Sequence, residues 1–337
     1  MRTLEHTRAT DPASAVEAVH GDDHAVFLAG GSNLVDHLKL GIARPSRLVD
    51  VSRLPLDTVE PHDGGLRIGA TVRNSDLAAH PDVRERYEVL SRALLSGASG
   101  QIRHQATTAG NLLQRTRCVY FQDPTTACNK REPGSGCSAL EGYGRYNAVL
   151  GTSSSCVATH PSDLAVALAV LDAQVLVLGP GGERTIPYGD VHRLPGDAPH
   201  RDTTLEHGDL VLAVDLPAPA AGARSTYRKV RDRASYAFAL VSVAALVEMD
   251  GDVVRDVRVA WGGMAHKPWR ASVLEEHLRG ERLTPQALGA ALDAELAPAT
   301  TSEDSAYKLP MIRRTTAAVL RELARPATAR TDAGATA

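Results

Sequence analysis

Long apolar runs are absent. No stretch of the 337 residues approaches the roughly 18 consecutive apolar residues that a bilayer-spanning helix needs, so no membrane span is expected. The segment from Met1 to Ala15 has neither an apolar core nor a twin-arginine pair, and no secretion signal is expected. Folding in the cytoplasm follows as the expectation, with export to the periplasm only alongside a partner subunit that carries a signal. Excess charge of one sign is missing too. A formal net charge of -3 offers no basic surface for a nucleic-acid partner. The chain also lacks GxGxxG, GxxxxGK[ST] and GxSxG, and its 13 histidines contain no HExxH. These absences exclude the common dinucleotide, phosphate-loop, nucleophile-elbow and zinc-protease readings. Cysteine is scarce: the four present all lie between Cys118 and Cys156. Core cysteines would be scattered, so this concentration is the first functional sign.

A chain this long exceeds one ordinary core, and two or three structural units are expected. Asp11 as N-cap and Pro12 at the first helical position open a helix to about residue 20. Residues 25–29 form a short strand ending at Gly30-Gly31. A helix then runs from Asn33 to a stop at Gly41, and residues 46–50 complete a small βαβ-like unit. Residues 65–70 alternate as a strand, and residues 74–80 read as a capped short helix. Val83, Tyr87, Leu90 and Leu94 have helical spacing and predict a helix over 81–95. A helix over 161–172 precedes a hairpin at residues 174–182. Residues 217–225, rich in Pro and Ala, are the linker candidate. Beyond it come a helix or strand over 234–248, a strand over 253–261, and helices near 268–279, 284–296 and 305–324. The Ala/Thr-rich tail is expected to be disordered.

Two loops carry the first chemistry. Leu28-Ala-Gly-Gly-Ser-Asn-Leu34 sits between a strand and a helix. Successive glycines permit a sharp turn and expose backbone N–H groups, which makes a site for a phosphate or diphosphate. A tight turn that binds nothing is the competing reading. Ala106-Thr-Thr-Ala-Gly-Asn-Leu112 again joins small residues, hydroxyls and a glycine. The two loops together could clamp one diphosphate from both sides. Asp163 reads either as a helix N-terminal acid or as an acceptor for a sugar or polyol, and Lys229 reads as a solvated surface charge or a ligand contact. His20 and His24 read as surface residues, and His104 and His160 as satisfied structural ones.

The cysteine window, about residues 114–156, has no sustained periodicity and is dense in Gly, Pro, Arg and Thr. An irregular stretch of that length inside a compact protein usually serves a function. Cys118, Cys128, Cys137 and Cys156 are separated by nine, eight and eighteen residues. Two disulfides, a structural zinc and a four-thiolate iron–sulfur cluster all remain open. The C-x2–4-C pairs usual for zinc are missing, and irregular spacing suits a cluster that the loop wraps.

These motifs together carry a resemblance. Ala29-Gly-Gly-Ser-Asn-Leu34, with Lys39-Leu-Gly41 and Arg44-Pro45 behind it, resembles the first flavin loop of the FAD-binding subunits of xanthine dehydrogenase-type molybdenum hydroxylases. Ile102-Arg103 and Ala106-Thr-Thr-Ala-Gly-Asn111 are similar to their second loop. Trp261-Gly-Gly-Met-Ala-His-Lys-Pro-Trp-Arg270 resembles a signature of their C-terminal domain. Within that family, the cysteine window is similar to the insertion in the FAD subunit of bacterial three-subunit aldehyde oxidoreductases, where it holds an additional [4Fe–4S] cluster.

The resemblance implies an α+β chain: a two-subdomain FAD-binding fold of the PCMH, or vanillyl-alcohol oxidase-like, type, then a C-terminal α+β domain of the CO dehydrogenase flavoprotein type. The corresponding boundaries are 1–54 and 55–219 for the two flavin subdomains, with the cysteine insertion in the second. Residues 220–326 form the C-terminal domain and 327–337 the tail. It further implies that Ala29, Gly30, Gly31, Ser32, Asn33 and Leu34 meet the FAD diphosphate, with Thr107, Thr108, Gly110 and Asn111 on its other side. Asp163 would hold the ribityl or adenosine portion, Lys229 would lie near the isoalloxazine carbonyls, and the four cysteines would bind the cluster. Implied partners are a large molybdenum-cofactor subunit, a small [2Fe–2S] subunit and an external electron acceptor. None of the chain's residues would act as acid or base on the substrate. Two readings compete: a stand-alone flavin reductase or oxidase of the same broad fold, such as the enolpyruvyl-aminosugar reductases, and a metal-stapled scaffold without redox work.

Overall fold

A computed structural model of the chain describes residues 3–325; the tail at 327–337 lies outside them. Asp11 and Pro12 begin the helix Pro12–His20 through a reciprocal capping box. The Ser14 N–H donates to Asp11 Oδ1 at 2.8 Å, and the Asp11 N–H donates to Ser14 Oγ at 3.3 Å. This helix packs on a parallel three-stranded sheet of β1 (Glu5–Arg8), β2 (Ala25–Leu28) and β3 (Arg47–Asp50), in the order β1-β3-β2. Between β2 and β3 runs the helix Leu34–Leu40, ended by Gly41 in the left-handed conformation. The sequence reading missed β1, because its four residues are all exposed and show no apolar alternation.

The second sheet has five antiparallel strands: β4 (Val59–His62), β5 (Gly65–Gly69), β6 (Gln174–Gly179), β7 (Gly182–Pro187) and β8 (Leu210–Leu216), in the order β4-β5-β8-β6-β7. The expected hairpin is the β6–β7 pair, closed where Gly179 faces Gly182. The helix expected over 81–95 is two helices, Pro81–Arg86 and Glu88–Ser96. The break at Tyr87 lets its ring enter the core while its hydroxyl donates to Pro217 O at 2.8 Å. The short helix Asn74–Ala79 forms, but Arg73 at its N-cap supplies no side-chain bond, so the expected cap is absent.

A third sheet, β12-β11-β10-β9, joins β9 (Arg224–Val230), β10 (Val241–Asp250), β11 (Val253–Gly262) and β12 (Trp269–Arg270). The segment expected as helix or strand over 234–248 is strand only from Val241; the residues before it form an irregular turn with Tyr236 at φ 53°. The helix expected near 268–279 shortens to Ser272–Leu278, because Trp269 and Arg270 pair with Trp261 and Ala260. Residues 217–223 connect β8 to β9, and the last two residues of the expected linker already belong to β9. The helix Asp163–Val170 is apolar on nearly every side and is accordingly buried, packed against the helix Glu88–Ser96 and against β10 and β11. Its residues share one core with Tyr227, Ala244 and Ala260 of the third sheet. No helix among the described residues is long and apolar enough to cross a membrane.

The helix Lys308–Ala324 covers the third sheet and brings a lysine inside with it. Lys308 Nζ donates to Asn147 O and to Gly263 O, each at 2.7 Å. Burial lowers the Lys308 pKa from its ordinary 10.5 to about 7. Between those values the unfolded chain holds the additional proton, so stability rises with pH, by at most about 1.4 kcal/mol per unit. Denaturant titrations at about pH 7 and about pH 9 are therefore expected to show the wild type gaining on Lys308→Met as the pH rises. A difference independent of pH would show that the amine keeps its proton in the fold.

Candidate functional site

Two loops meet edge to edge above the first sheet. Gly30 carries the contact: a Cβ there would lie 2.2 Å from Gln105 O, a backbone atom that cannot swing away. Gln105 Nε2 reinforces the approach by donating to Gly30 O at 2.8 Å. Gly31 has a different job, since its φ of 72° is a conformation that side chains disfavour. Asn33 ends the loop, and its Oδ1 accepts the Arg115 N–H at 3.0 Å, tying the loop to the start of the cysteine window.

In the second loop Thr107 caps the short helix Thr108–Leu112, and its hydroxyl accepts the Gly110 N–H at 3.3 Å. Thr108 donates to Val72 O at 3.1 Å, and both threonines are buried. Asn111 Oδ1 accepts from Ser162 Oγ at 2.7 Å and from Gln114 Nε2 at 2.6 Å. Ser162 in turn caps the helix Asp163–Val170.

These elements enclose a cavity of about 540 Å³, within the range of small-molecule sites. Of the residues singled out in the sequence, Ser32, Asn33, Gly110, Asn111, Asp163, Lys229 and Cys118 line it. Ala29, Gly30, Gly31, Leu34, Thr107 and Thr108 stand behind that wall and shape the loops. Asp163 and Lys229 form a buried ion pair, Nζ to Oδ2 at 2.7 Å, and Lys229 also donates to Ser96 O at 3.2 Å. The Tyr227 hydroxyl donates to Asp163 Oδ1. Burial, reinforced by that carboxylate, holds the phenol pKa well above its ordinary range, so the hydroxyl stays a donor. His160 lines the cavity too; its Nδ1 accepts the Ser162 N–H at 3.3 Å, but its buried Nε2 has no partner, so the fully satisfied role expected for it is not met. His20, His24 and His104 are exposed, as expected for the first two, and His104 meets Ser75 Oγ at 2.8 Å.

The cysteine window is largely irregular, with one short helix, Val119–Gln122. Gly134 and Gly136, both at positive φ, allow a tight turn that brings Cys128 opposite Cys137. None of the four cysteines is in a disulfide. Burial raises the Cys118 thiol pKa, while the Phe121 and Tyr120 N–H groups pull the other way and Cys128 and Cys137 lie close enough to add repulsion. Burial pushes Cys156 up to about 11, opposed by the nearby charge of Lys130. Among the described residues, no group of three or more His, Cys, Asp or Glu side chains closes tightly enough to hold a single metal ion.

Sequence reasoning missed Ser162, Tyr227, Arg115, Lys130 and Asp202. Only Lys130 carried a signal, through its place between two cysteines; the others act across long sequence separations. Removing the amine of Lys229 would strand the Asp163 carboxylate. Lys229→Met is expected to cost about 3–5 kcal/mol of stability, and Lys229→Met with Asp163→Asn much less, in urea denaturation. A double loss equal to the sum of the two single losses would mean that the pair is not coupled.

Residues 2–219 match the family model described as the FAD binding domain in molybdopterin dehydrogenase, and residues 225–324 match the CO dehydrogenase flavoprotein C-terminal domain. The chain is 52% identical over 324 residues to the aldehyde oxidoreductase FAD-binding subunit PaoB of Escherichia coli, covering 96% of this chain and 98% of that one. It is 27% identical to the carbon monoxide dehydrogenase medium chain of Hydrogenophaga pseudoflava, with 87% of each chain covered. A solved structure of carbon monoxide dehydrogenase from that organism superposes with a TM-score of 0.76 at 24% identity, over 96% of this chain and 97% of that one. The chain thus belongs to the FAD-binding subunits of the molybdenum-dependent aldehyde oxidoreductase and xanthine dehydrogenase family.

Proposed function

We propose that the chain holds FAD in the cavity between its two glycine loops, and a [4Fe–4S] cluster on Cys118, Cys128, Cys137 and Cys156. In this reading it passes electrons from a small [2Fe–2S] subunit to an external acceptor, beside a large molybdenum-cofactor subunit that oxidises an aldehyde. The complex would fold in the cytoplasm. One observation carries the reading: Cys118 and both flavin loops line the same cavity.

The residues present suit both groups. Ser32, Asn33, Gly110 and Asn111 offer small side chains and polar groups for a diphosphate. Gly30 and Gly31 fix the loop that Ser32 and Asn33 end, while Thr107 caps the helix of the second loop and Thr108 ties it to Val72 O. The Asp163–Lys229 pair supplies an acceptor and a donor on the cavity wall. Four free thiols lie within electrostatic reach of one another, two with backbone N–H groups directed at sulfur. Nearby, Arg115 and the buried Lys130 share the single carboxylate of Asp202, a positive surplus that suits an anionic thiolate cluster. Zinc would require the four sulfurs to converge on one ion at about 2.3 Å each, whereas a cluster spreads them over several irons. A flavin, when bound, stores two electrons and so joins one-electron carriers to a two-electron acceptor.

The stand-alone reductase reading would need a substrate acid and a nicotinamide site within this chain, and it leaves the cysteine window without work. The likeness along almost the whole length of a subunit favours the assembly reading. Metal and flavin analysis of the purified complex is expected to return FAD and roughly four irons per chain beyond those held by the small [2Fe–2S] subunit. Recovery of FMN, zinc in place of iron, or iron unchanged in Cys128→Ser would overturn the assignment. Gly30→Ala should push the two loops apart and reduce retained FAD by at least about tenfold, the effect of ~1.4 kcal/mol, on desalting. Full retention would remove the loops from the diphosphate site.

A further inference from the structure

We propose that the triad of Arg115, Asp202 and the buried Lys130 sets the reduction potential of the iron–sulfur centre, Lys130 raising it and Asp202 holding it down. The inference rests on the cluster reading above and goes beyond it, since neither residue is a ligand. Lys130 stands between Cys128 and Cys137 in the chain, and its side chain is 1% exposed. Its ammonium donates to Asp202 Oδ1, to Pro199 O at 2.9 Å and to His266 Nε2 at 2.6 Å. A nitrogen that accepts from an ammonium leaves the proton on the other side of the ring. His266 Nδ1 accordingly donates to Arg193 O at 3.0 Å, and the ring contributes no charge. Asp202 Oδ2 takes the second cation, Arg115 Nε, at 2.6 Å.

Two cations on one carboxylate leave a net positive charge, and the buried Lys130 carries its share of it inside the fold. Lys130 lies two residues from Cys128, and the bond from Asn129 Nδ2 to Ser155 O at 3.1 Å brings this stretch beside Cys156, where the Lys130 charge opposes the effect of burial. Reduction adds an electron to the centre, which a nearby cation favours and a nearby anion opposes, more strongly in an interior than in water. The same triad reaches the flavin loop, since the Arg115 N–H donates to Asn33 Oδ1. Lys130 and Asp202 are therefore positioning residues with opposite electrostatic signs.

Opposite signs make the test specific. In the assembled complex, the midpoint potential of the iron–sulfur signal that Cys128→Ser abolishes is read by paramagnetic resonance during a redox titration. Lys130→Met, which removes a positive charge, is expected to lower the midpoint, and Asp202→Asn, which removes a negative one, to raise it. Lys130→Arg, which keeps the charge, should restore the wild-type value. A merely structural role would not move the two variants in opposite directions. Shifts of the same sign, or none, overturn the proposal while leaving the cluster intact. If Asp202→Asn fails to assemble, Lys130→Met against Lys130→Arg decides alone, and equal midpoints refute it. A wild-type complex whose iron–sulfur signals are all retained in Cys128→Ser refutes the cluster reading, and this inference with it.

Discussion

The site depends on the buried pair of Asp163 and Lys229. The helix Asp163–Val170 has no polar face, so it can settle only in the core. That placement carries the carboxylate of Asp163 into the cavity wall, where an unpaired charge would be costly. Lys229 comes from β9, on the far side of the connection after β8, and supplies the pairing only when the third sheet is docked. Tyr227, two residues earlier on the same face of that strand, adds its hydroxyl to the other carboxylate oxygen. The flavin-binding part and the C-terminal sheet thus share one polar joint inside one apolar core, and the cavity exists because they meet there.

Much of the fold was legible because local physics and tertiary packing agreed. The Asp11–Pro12 start, the left-handed stop at Gly41 and the β6–β7 hairpin need only neighbouring residues to be understood. Readings failed where a distant partner decided the outcome. Tyr87 sits at perfect helical spacing, yet its hydroxyl is claimed by Pro217 O and the helix divides. Trp269 and Arg270 have helix-compatible neighbours, yet β11 offers them a ladder. The strand β1 carries no apolar pattern at all and exists by pairing with β3.

The site divides in the same way. Glycine loops announce themselves, because close approach and positive φ restrict the residue type at Gly30 and Gly31. Cysteines announce themselves by their grouping. The two threonines of the second loop were equally visible, but in the structure their hydroxyls serve the loop's own backbone and the carbonyl of Val72, just past β5. Asp202 was invisible. It lies in an irregular stretch, and its partners Arg115 and Lys130 are 87 and 72 residues away, so no spacing rule could join them.

What orders the cysteine window bears on how it works. With almost no ladder or helix of its own, the segment satisfies its backbone through tight turns, such as Asn129 N–H to Gly136 O at 2.6 Å, and through side chains. The Arg131 guanidinium donates to Tyr120 O at 2.8 Å, to Phe121 O at 2.9 Å and to Thr126 O, and Asn129 bridges to Ser155 O at 3.1 Å and to the Gly136 N–H at 2.8 Å. Each bond satisfies a polar group that burial would otherwise penalise. The loop is therefore held in shape by arginine, asparagine and the Lys130 anchor, and its thiols are left free of structural duty. A scaffold that needed cysteines as staples would join them to each other. This one leaves all four unpaired, sets the charge of Lys130 near Cys156 and places Cys118 in the cavity wall.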